Sequence, residues 1–406
     1  MLLLVPSATY RAGDFLDAAR TMGIEVVVGG DASTAMADAM GSRALEVPLA
    51  DPEAAAAAIV AHDATSALDA VVAVDDQGTV VAALASARLG LRANPPDAVA
   101  AACDKFEMRT RLDAAEVPQP AFTLLPAGAE GAQAARIAAD VGLPCVIKPR
   151  TLSGSQGVLR ADDAPGVVAA VARVRRIAAS AGVDPDDGLL VERYVAGPEV
   201  AVEALLSDGA LDVLAVFDKP DPLDGPAFEE TIYVTPTRLS VRDREAVVAA
   251  THAATRAIGL VDGPVHAELR VADGRAWVIE VAARTIGGLC ARSLTFSLGR
   301  SLEELVLAHA LRIPLDHAQR DEGASGVLMI PIARPGTFLS LEGRDAALTV
   351  PGITDVQVTV APGRHIAPVP EGDRYVGFAF ARARHPESVV RALRRARAVL
   401  EVRVAP

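Results

Sequence analysis

The residues of this chain best suited to chemistry are three lysines and a cluster of carboxylates on one candidate hairpin. Lys105, Lys148 and Lys219 stand against thirty-six arginines. Either residue can carry a surface charge, so a bias this strong leaves lysine where a compact, movable ammonium is required. Coding bias with chance survivors is the other reading. The hairpin is the second concentration: Val265, Ala267, Leu269 and Val271, then Trp277, Ile279 and Val281, alternate with polar residues. That alternation assigns the odd positions to a buried face and pairs odd with odd. Ala272-Asp273-Gly274 reads as a three-residue turn with Gly in the left-handed region. Val271 then opposes Arg275 and His266 opposes Glu280, with Glu268 on the diagonal at ~7–8 Å. His266, Glu268, Arg270 and Glu280 share one face, with Arg284 just beyond it. Two gathered carboxylates repel unless a cation lies between them, and magnesium bridging nucleotide phosphates meets that need. An exposed face with ion pairs to Arg270 and Arg275 meets it as well.

Two further stretches carry polar groups in a loop setting. In Ser153-Gly154-Ser155-Gln156-Gly157 the glycines let backbone N–H groups approach anionic oxygens; on its residues alone it is equally a surface hairpin turn. Leu189-Leu190-Val191-Glu192-Arg193-Tyr194-Val195, followed by Gly197-Pro198-Glu199, is by itself an ordinary strand and turn with Glu199 solvated. Lys219 lies in Asp218-Lys219-Pro220-Asp221-Pro222, ahead of Glu229 and Glu230, where it is either a substrate or phosphate contact or part of a solvated loop.

In this order, and with Asp104-Lys105-Phe106 and Val146-Ile147-Lys148-Pro149, these segments resemble the nucleotide site of the ATP-grasp superfamily from about Lys105 to Leu311. The resemblance implies a lysine that ends a helix-bearing segment, Lys105, and a lid-strand lysine, Lys148, both holding ATP phosphates. It implies a flexible loop, Ser153 to Gly157, folding over the β- and γ-phosphates. Glu192 and the backbone at Arg193, Tyr194 and Val195 would read adenine, Glu199 would take the ribose hydroxyls, and Glu268 and Glu280 would hold Mg2+, two ions, with Mn2+ as a substitute. Many relatives place an Asn two residues after the second glutamate; this chain has Ala282. The run Ile279-Glu280-Val281-Ala282-Ala283-Arg284 instead resembles the branch containing the L-amino-acid (dipeptide) ligases.

That branch implies an ATP-dependent carboxylate–amine ligase that forms an amide through an acyl phosphate and releases ADP and phosphate. Its substrates would be a small carboxylate and an amine, both amino acids. Arg284 would face the acyl phosphate and the tetrahedral oxyanion, beside Lys148 and Glu280 as catalytic groups. Gly287 and Gly288 would open a helix whose N–H groups seat a substrate carboxylate, and Lys219, Glu230 and His266 complete the expected substrate side. The alternatives are a ligase of another small carboxylate, as in purine pathways, or a non-catalytic ATP-binding protein.

These groups need a scaffold, and the 406 residues suffice for two or three domains. The expected class is α/β with α+β: an N-terminal parallel α/β domain over 1–94, a two-lobed ATP-grasp domain over 95–314 with its lid at about 118–195, and a small C-terminal α/β subdomain over 315–406. Strands are expected at Leu2–Val5, Glu25–Val28 and Ala70–Val74, with Gly29-Gly30-Asp31 as a tight turn. Asn94-Pro95-Pro96 starts a new helix. A net charge of −13 argues against nucleic acid as a partner, and no apolar run approaches the ~18 residues of a membrane span. Met1–Val5 reads as a buried strand rather than a signal peptide, so a cytoplasmic location is expected. Cys103, Cys145 and Cys290 read as reduced, buried thiols, and homodimerisation follows from the resemblance alone.

Overall fold

The computed structural model describes residues 1–7, 9–31, 43–314 and 319–406. The expected boundary between 314 and 315 falls against residues 315–318, outside the described residues. Four strands open the chain: β1 (Leu2–Leu4), β2 (Val27–Gly30), β3 (Ala44–Glu46) and β4 (Val71–Ala73), all parallel in the order β3-β2-β1-β4. Gly29 and Gly30 belong to β2 rather than to a turn. A Cβ at Gly29 would lie 3.0–3.2 Å from the side chains of Leu4, Leu2 and Val47, so the strand continues through glycine because its neighbours leave no room for more. Helix Asp76–Leu89 follows β4, capped by the Asp75 carboxylate, which accepts from the Asp76 N–H at 2.9 Å. In a parallel sheet the carboxyl ends of the strands face one crevice, and Asp75 and Asp76 lie there.

A second, four-stranded sheet, β5 (Phe122–Leu125), β6 (Cys145–Lys148), β7 (Leu159–Ala161) and β8 (Leu189–Arg193), is antiparallel in the order β5-β8-β6-β7. Helices Gly131–Val141 and Ala164–Ser180 cover it, with Leu125, Ile147, Val174 and Val191 in its core. The central sheet is larger. It joins β9 (Glu199–Ser207), β10 (Ala210–Asp218), β11 (Ile232–Thr235), β12 (Gly263–Ala272) and β13 (Arg275–Ala282) to β14 (Ala324–Ile330), β16 (Ile353–Val358) and β18 (Gly377–Ala383), in the order β13-β12-β9-β10-β11-β14-β18-β16. The remaining strands, β15 (Gly336–Glu342), β17 (His365–Ile366) and β19 (Glu401–Ala405), form a small sheet of their own. The C-terminal α/β unit therefore shares the central sheet and adds three strands to it.

Successive residues of β9 feed different cores. Val200, Val202, Ala204 and Leu206 pack with Val265, Leu269 and Val278 under helix Val241–Ile258. Ala201 and Leu205 point the other way, into a core shared with Leu3, Phe15 and Val28 of the N-terminal unit and Phe378 of the C-terminal one. Glu199 and Glu203 have the parity of Ala201, so the sheet's alternation sends both carboxylates to the side where the three units meet. Cys145 and Cys290 are buried, Cys103 is half-buried, and all three are free thiols. Among the described residues no helix is long and apolar enough to cross a membrane.

Strand β14 crosses under helix Pro386–Val399 at Gly326, where a Cβ would lie 2.6 Å from Tyr233 O and 2.8 Å from a Val389 methyl. Gly326→Ala is expected to destabilise the fold by about 1–3 kcal/mol, the cost of overpacking a filled core, read as a lower urea midpoint with unchanged slope.

Candidate active site

The β12–β13 hairpin differs in register from the sequence expectation, and the difference builds the site. Its turn has two residues, Asp273 and Gly274, at φ 52° and 70°, so Ala272 pairs with Arg275 and Val271 with Ala276. Ala276 and Val278 are buried in place of Trp277 and Ile279. A bulge at Ile279 then restores the parity: Leu269 pairs with Val278, but Glu268 lies directly opposite Glu280, and His266 opposite Ala282. Directly opposed side chains have Cβ atoms about 4.5–5.5 Å apart. The two carboxylates are thus closer than the diagonal that the sequence implied, and His266 is not the partner of Glu280.

The bulge also presents two successive carbonyls to one arginine. Arg109, fully buried on helix Lys105–Ala114, donates from Nη1 to Val278 O at 2.9 Å and from Nη2 to Ile279 O at 2.6 Å. Its Nε donates to Glu192 at 2.6 Å. Glu192 in turn pairs with Lys148 at 2.8 Å. Burial would raise the Glu192 pKa, but Arg109 and Lys148 outweigh it and hold the carboxyl at about 2. Burial also draws the Lys148 ammonium below its ordinary value, with Glu192 opposing. Sequence reading missed Arg109, although Lys105, Arg109 and Leu112 recur at helical spacing on a buried face.

Lys105 begins its helix rather than ending one. Asp104 caps that helix, accepting from the N–H of Phe106 at 2.9 Å, and Lys105 Nζ reaches Leu152 O at 2.6 Å and Glu280 at 3.3 Å. Lys219 is buried, not part of a solvated loop. Its ammonium donates to Glu199 at 2.7 Å, to Glu268 at 2.8 Å and to Glu230. Burial opposes its charge, and the three carboxylates override that and raise its pKa well above the usual value. Glu268 is held low: burial opposes, and Lys219 and His266 prevail. Glu230, where burial wins, is pushed up to about 7.

Cross-strand pairs complete the floor. Arg270 on β12 opposes Glu199 on β9 and donates to it at 2.8 Å, so Glu199 carries two cations. His266 opposes Glu203 and is bonded to it through Nδ1. Burial lowers the His266 pKa less than Glu203 raises it, and the balance is a rise to about 9. Glu203, another residue the sequence did not single out, also accepts the Ile286 N–H at 3.0 Å and so anchors the turn after Arg284. Arg284 is paired neither with Glu268 nor with Glu280: its Nε donates to Asp76, from the N-terminal unit.

One cavity of ≈ 260 Å³ collects these groups. Its wall includes Lys105, Lys148, Ser153, Gly154, Ser155, Glu192, Arg193, Tyr194, Val195 and Glu199, and also Glu230, His266, Glu268, Glu280, Arg284, Gly287 and Gly288. Gln156 and Gly157 are outside it, and Lys219 lies behind the three carboxylates that do line it. The Arg193 N–H is committed to Ala121 O at 2.8 Å, leaving its carbonyl as the group it can offer. Gly287 and Gly288 precede only a four-residue 3-10 turn, Cys290–Ser293, in place of the expected helix. The glycine loop touches the C-terminal unit: Gly157 N–H donates to Pro370 O at 2.9 Å, and Arg173 grips Glu371 at 2.7 and 2.9 Å.

The donor set suits a hard divalent cation, since Glu268 and Glu280 are opposed carboxylates whose repulsion is relieved by separate groups, Lys219 and His266 at Glu268 and Lys105 at Glu280. Ala282 is buried beside them on the cavity wall and supplies no ligand atom.

Comparison with known proteins places the fold. Residues 141–293 match the family model of the ATP-grasp domain, 16–92 that of the ATP-grasp N-terminal domain, and 328–405 that of the L-amino acid ligase C-terminal domain 2. The L-amino acid ligase of Bacillus licheniformis superposes with a TM-score of 0.82 at 26% identity, covering 100% of this chain and 99% of that one. A D-alanine–D-alanine ligase of Anaeromyxobacter sp. (strain K) is 34% identical over 164 residues, 40% of this chain and 50% of that protein. An alanine–anticapsin ligase of Bacillus subtilis is 26% identical over 185 residues, 41% of this chain and 39% of the relative. The chain thus spans about half the length, or less, of these two curated relatives. The fold is that of ATP-grasp ligases, with a parallel N-terminal unit, an ATP-grasp domain and a C-terminal unit.

Two outcomes test the electrostatics of this site. Arg109→Ala is expected to cost about 3–5 kcal/mol, because Glu192 keeps its burial and loses a cation. The folded pKa of Glu192 lies about 2.5 units below its ordinary 4.5, which corresponds to about 3 kcal/mol. A depressed carboxylate contributes that stability above pH ~4.5 and loses it as pH falls towards 2. Urea unfolding of wild type should weaken by at least this amount between pH 5 and 2, since Glu268 is held low as well, and Glu192→Gln should lack the Glu192 component.

Proposed function

We propose that this chain, which carries an ATP-grasp domain, is an ATP-dependent carboxylate–amine ligase that joins amino acids in a dipeptide-type bond. The observation that carries the reading is the convergence, in one cavity, of two buried lysines, a directly opposed glutamate pair and Arg284.

In this reading Lys105 and Lys148 neutralise the phosphates of ATP as movable point charges. The Ser153–Gly157 loop lies over the β- and γ-phosphates, and Glu192 with the backbone from Arg193 to Val195 flanks the adenine. Glu199 takes the ribose hydroxyls. Glu268 and Glu280 would hold Mg2+, which when bound supplies charge neutralisation at the phosphate oxygens. The substrate carboxylate oxygen bonds to the γ-phosphorus as the bond to the bridging oxygen of ADP breaks, so positioning and charge account for most of the catalysis. The amine nitrogen then bonds to the acyl carbon, phosphate leaves, and the nitrogen loses a proton. Arg284, fixed by Asp76, offers its guanidinium to the acyl phosphate and to the oxyanion that follows. Ala282 would supply no ligand atom to a second ion.

Phosphate release from Mg·ATP with pooled amino acids tests the reading. Release that needs two amino acids supports it. Release with a different small carboxylate moves the acid substrate to another class, and silence with ATP still bound indicates a non-catalytic binder. Glu280→Gln is expected to abolish turnover, and near-normal activity would remove its role as a metal ligand. Arg284→Ala should lower kcat about 10²–10³-fold while changing ATP affinity far less; equal losses in both would contradict the oxyanion role.

A further inference from the structure

The cavity wall draws on all three units: Tyr10 from the N-terminal one, Ile286 and Cys290 from the segment after Arg284, Met329 and Tyr375 from the C-terminal one. Apolar side chains share that wall with charged ones, Asp75, Arg284, Asp373 and Arg374 among them. The hydroxyl of Tyr375 is buried and, among the described residues, has no hydrogen-bond partner, whereas Tyr233 donates to Glu230 at 2.7 Å. A buried hydroxyl left unpaired carries a desolvation penalty. The side chain is also held in place. Its ring packs edge-on against Phe378 at 6.2 Å, and the peptide that follows it is tied at both ends, Thr359 Oγ1 donating to Tyr375 O at 3.2 Å and Val376 N–H to Ile330 O at 3.3 Å.

Two facts indicate what that hydroxyl awaits. Tyr375 and Glu230 line the same cavity; burial raises the Tyr375 pKa most, the carboxylates of Glu230 and Glu229 add to that and the Lys219 ammonium opposes them, a balance that favours a cation over an anion. The hydrogen bonds of Glu230 with Lys219 and Tyr233 both fall on Oε1, so among the described residues its Oε2 is open to a ligand. An ammonium group brings several N–H donors together with a charge opposite to that of Glu230, which a carboxylate does not.

We propose that Tyr375 is a specificity-determining residue that, with Glu230 Oε2, binds the α-ammonium group of the amino acid to be activated, whose apolar side chain rests against Tyr10, Ile286 and Met329. The inference rests on the ligase reading above, and it adds the substrate class: free α-amino acids with apolar side chains in preference to plain carboxylic acids of the same shape.

The test uses the full chain with Mg2+ and a non-hydrolysable ATP analogue, measuring by calorimetry the dissociation constants of L-leucine and of its des-amino counterpart, 4-methylpentanoate. Wild type is expected to favour leucine by about tenfold or more, since a hydrogen bond to a charged group corresponds to a factor of that size or larger. Tyr375→Phe, which keeps the ring, should weaken leucine about tenfold and leave 4-methylpentanoate within twofold, with a melting temperature equal to or above that of wild type. Glu230→Gln should narrow the same ratio. A ratio unchanged in Tyr375→Phe, or no preference for leucine in wild type, overturns the proposal. Two-amino-acid phosphate release by wild type then shows whether the ligase reading stands without it, and silence in that assay removes both.

Discussion

Carboxylates on one face of a buried sheet must be neutralised, and the rest of this molecule is arranged around that demand. Strand alternation puts Glu199, Glu203, Glu268 and Glu280 on a single side of β9, β12 and β13, where neighbouring strands bring them within a few ångströms. The ligand-free chain meets the demand with cations of its own. Lys219 serves three carboxylates, Lys105 serves Glu280, and Arg270 and His266 each take the glutamate opposite them on β9. A site so charged is poised for a ligand that brings positive charge to the glutamates and negative charge to the lysines, as a metal nucleotide does.

The second constraint is that no single unit closes the site. The shared core that joins Leu3 and Phe15 to Phe217 and Phe378 fixes the N-terminal sheet against the central one, which lets Asp76, at the carboxyl end of β4, reach Arg284. On the opposite side the glycine loop of the four-stranded sheet lies against Pro370 and Glu371. The cavity is a seam between three bodies, and Tyr10 and Tyr375, both packed on Phe378, line it together. Chemistry placed at such a seam responds to how the bodies sit together, so residues far apart in sequence set the geometry of the reacting groups.

Much of this was legible in the sequence. The βαβ rhythm of the first ninety residues and the alternation of the hairpin pointed to the right elements, and the rarity of lysine with the family resemblance singled out Lys105, Lys148, Glu268, Glu280 and Arg284, which line one cavity. Other features were not. A bulge at Ile279 is invisible to an alternation argument because it changes parity twice, once at a two-residue turn and once in mid-strand, and the apolar pattern reads nearly as well in the wrong register. Gly29 and Gly30 resembled a turn because glycine's local preference says nothing of a strand crowded by Leu4 and Val47. Gly287 and Gly288 resembled a helix start for the same reason.

The sequence by itself determined which residue types would face one another, since period-two alternation, strand order and the scarcity of lysine are properties of the chain. Tertiary structure alone decided the partners. Arg109 is an unremarked helix residue until the bulge turns two carbonyls toward it; Asp76, 208 residues from Arg284, becomes its anchor only when two sheets share a core; and Lys219 gains its three carboxylates from three separate segments. Short-range preferences fix an element, whereas a charged group's environment is the sum over everything packed around it, and that sum exists only in the folded chain.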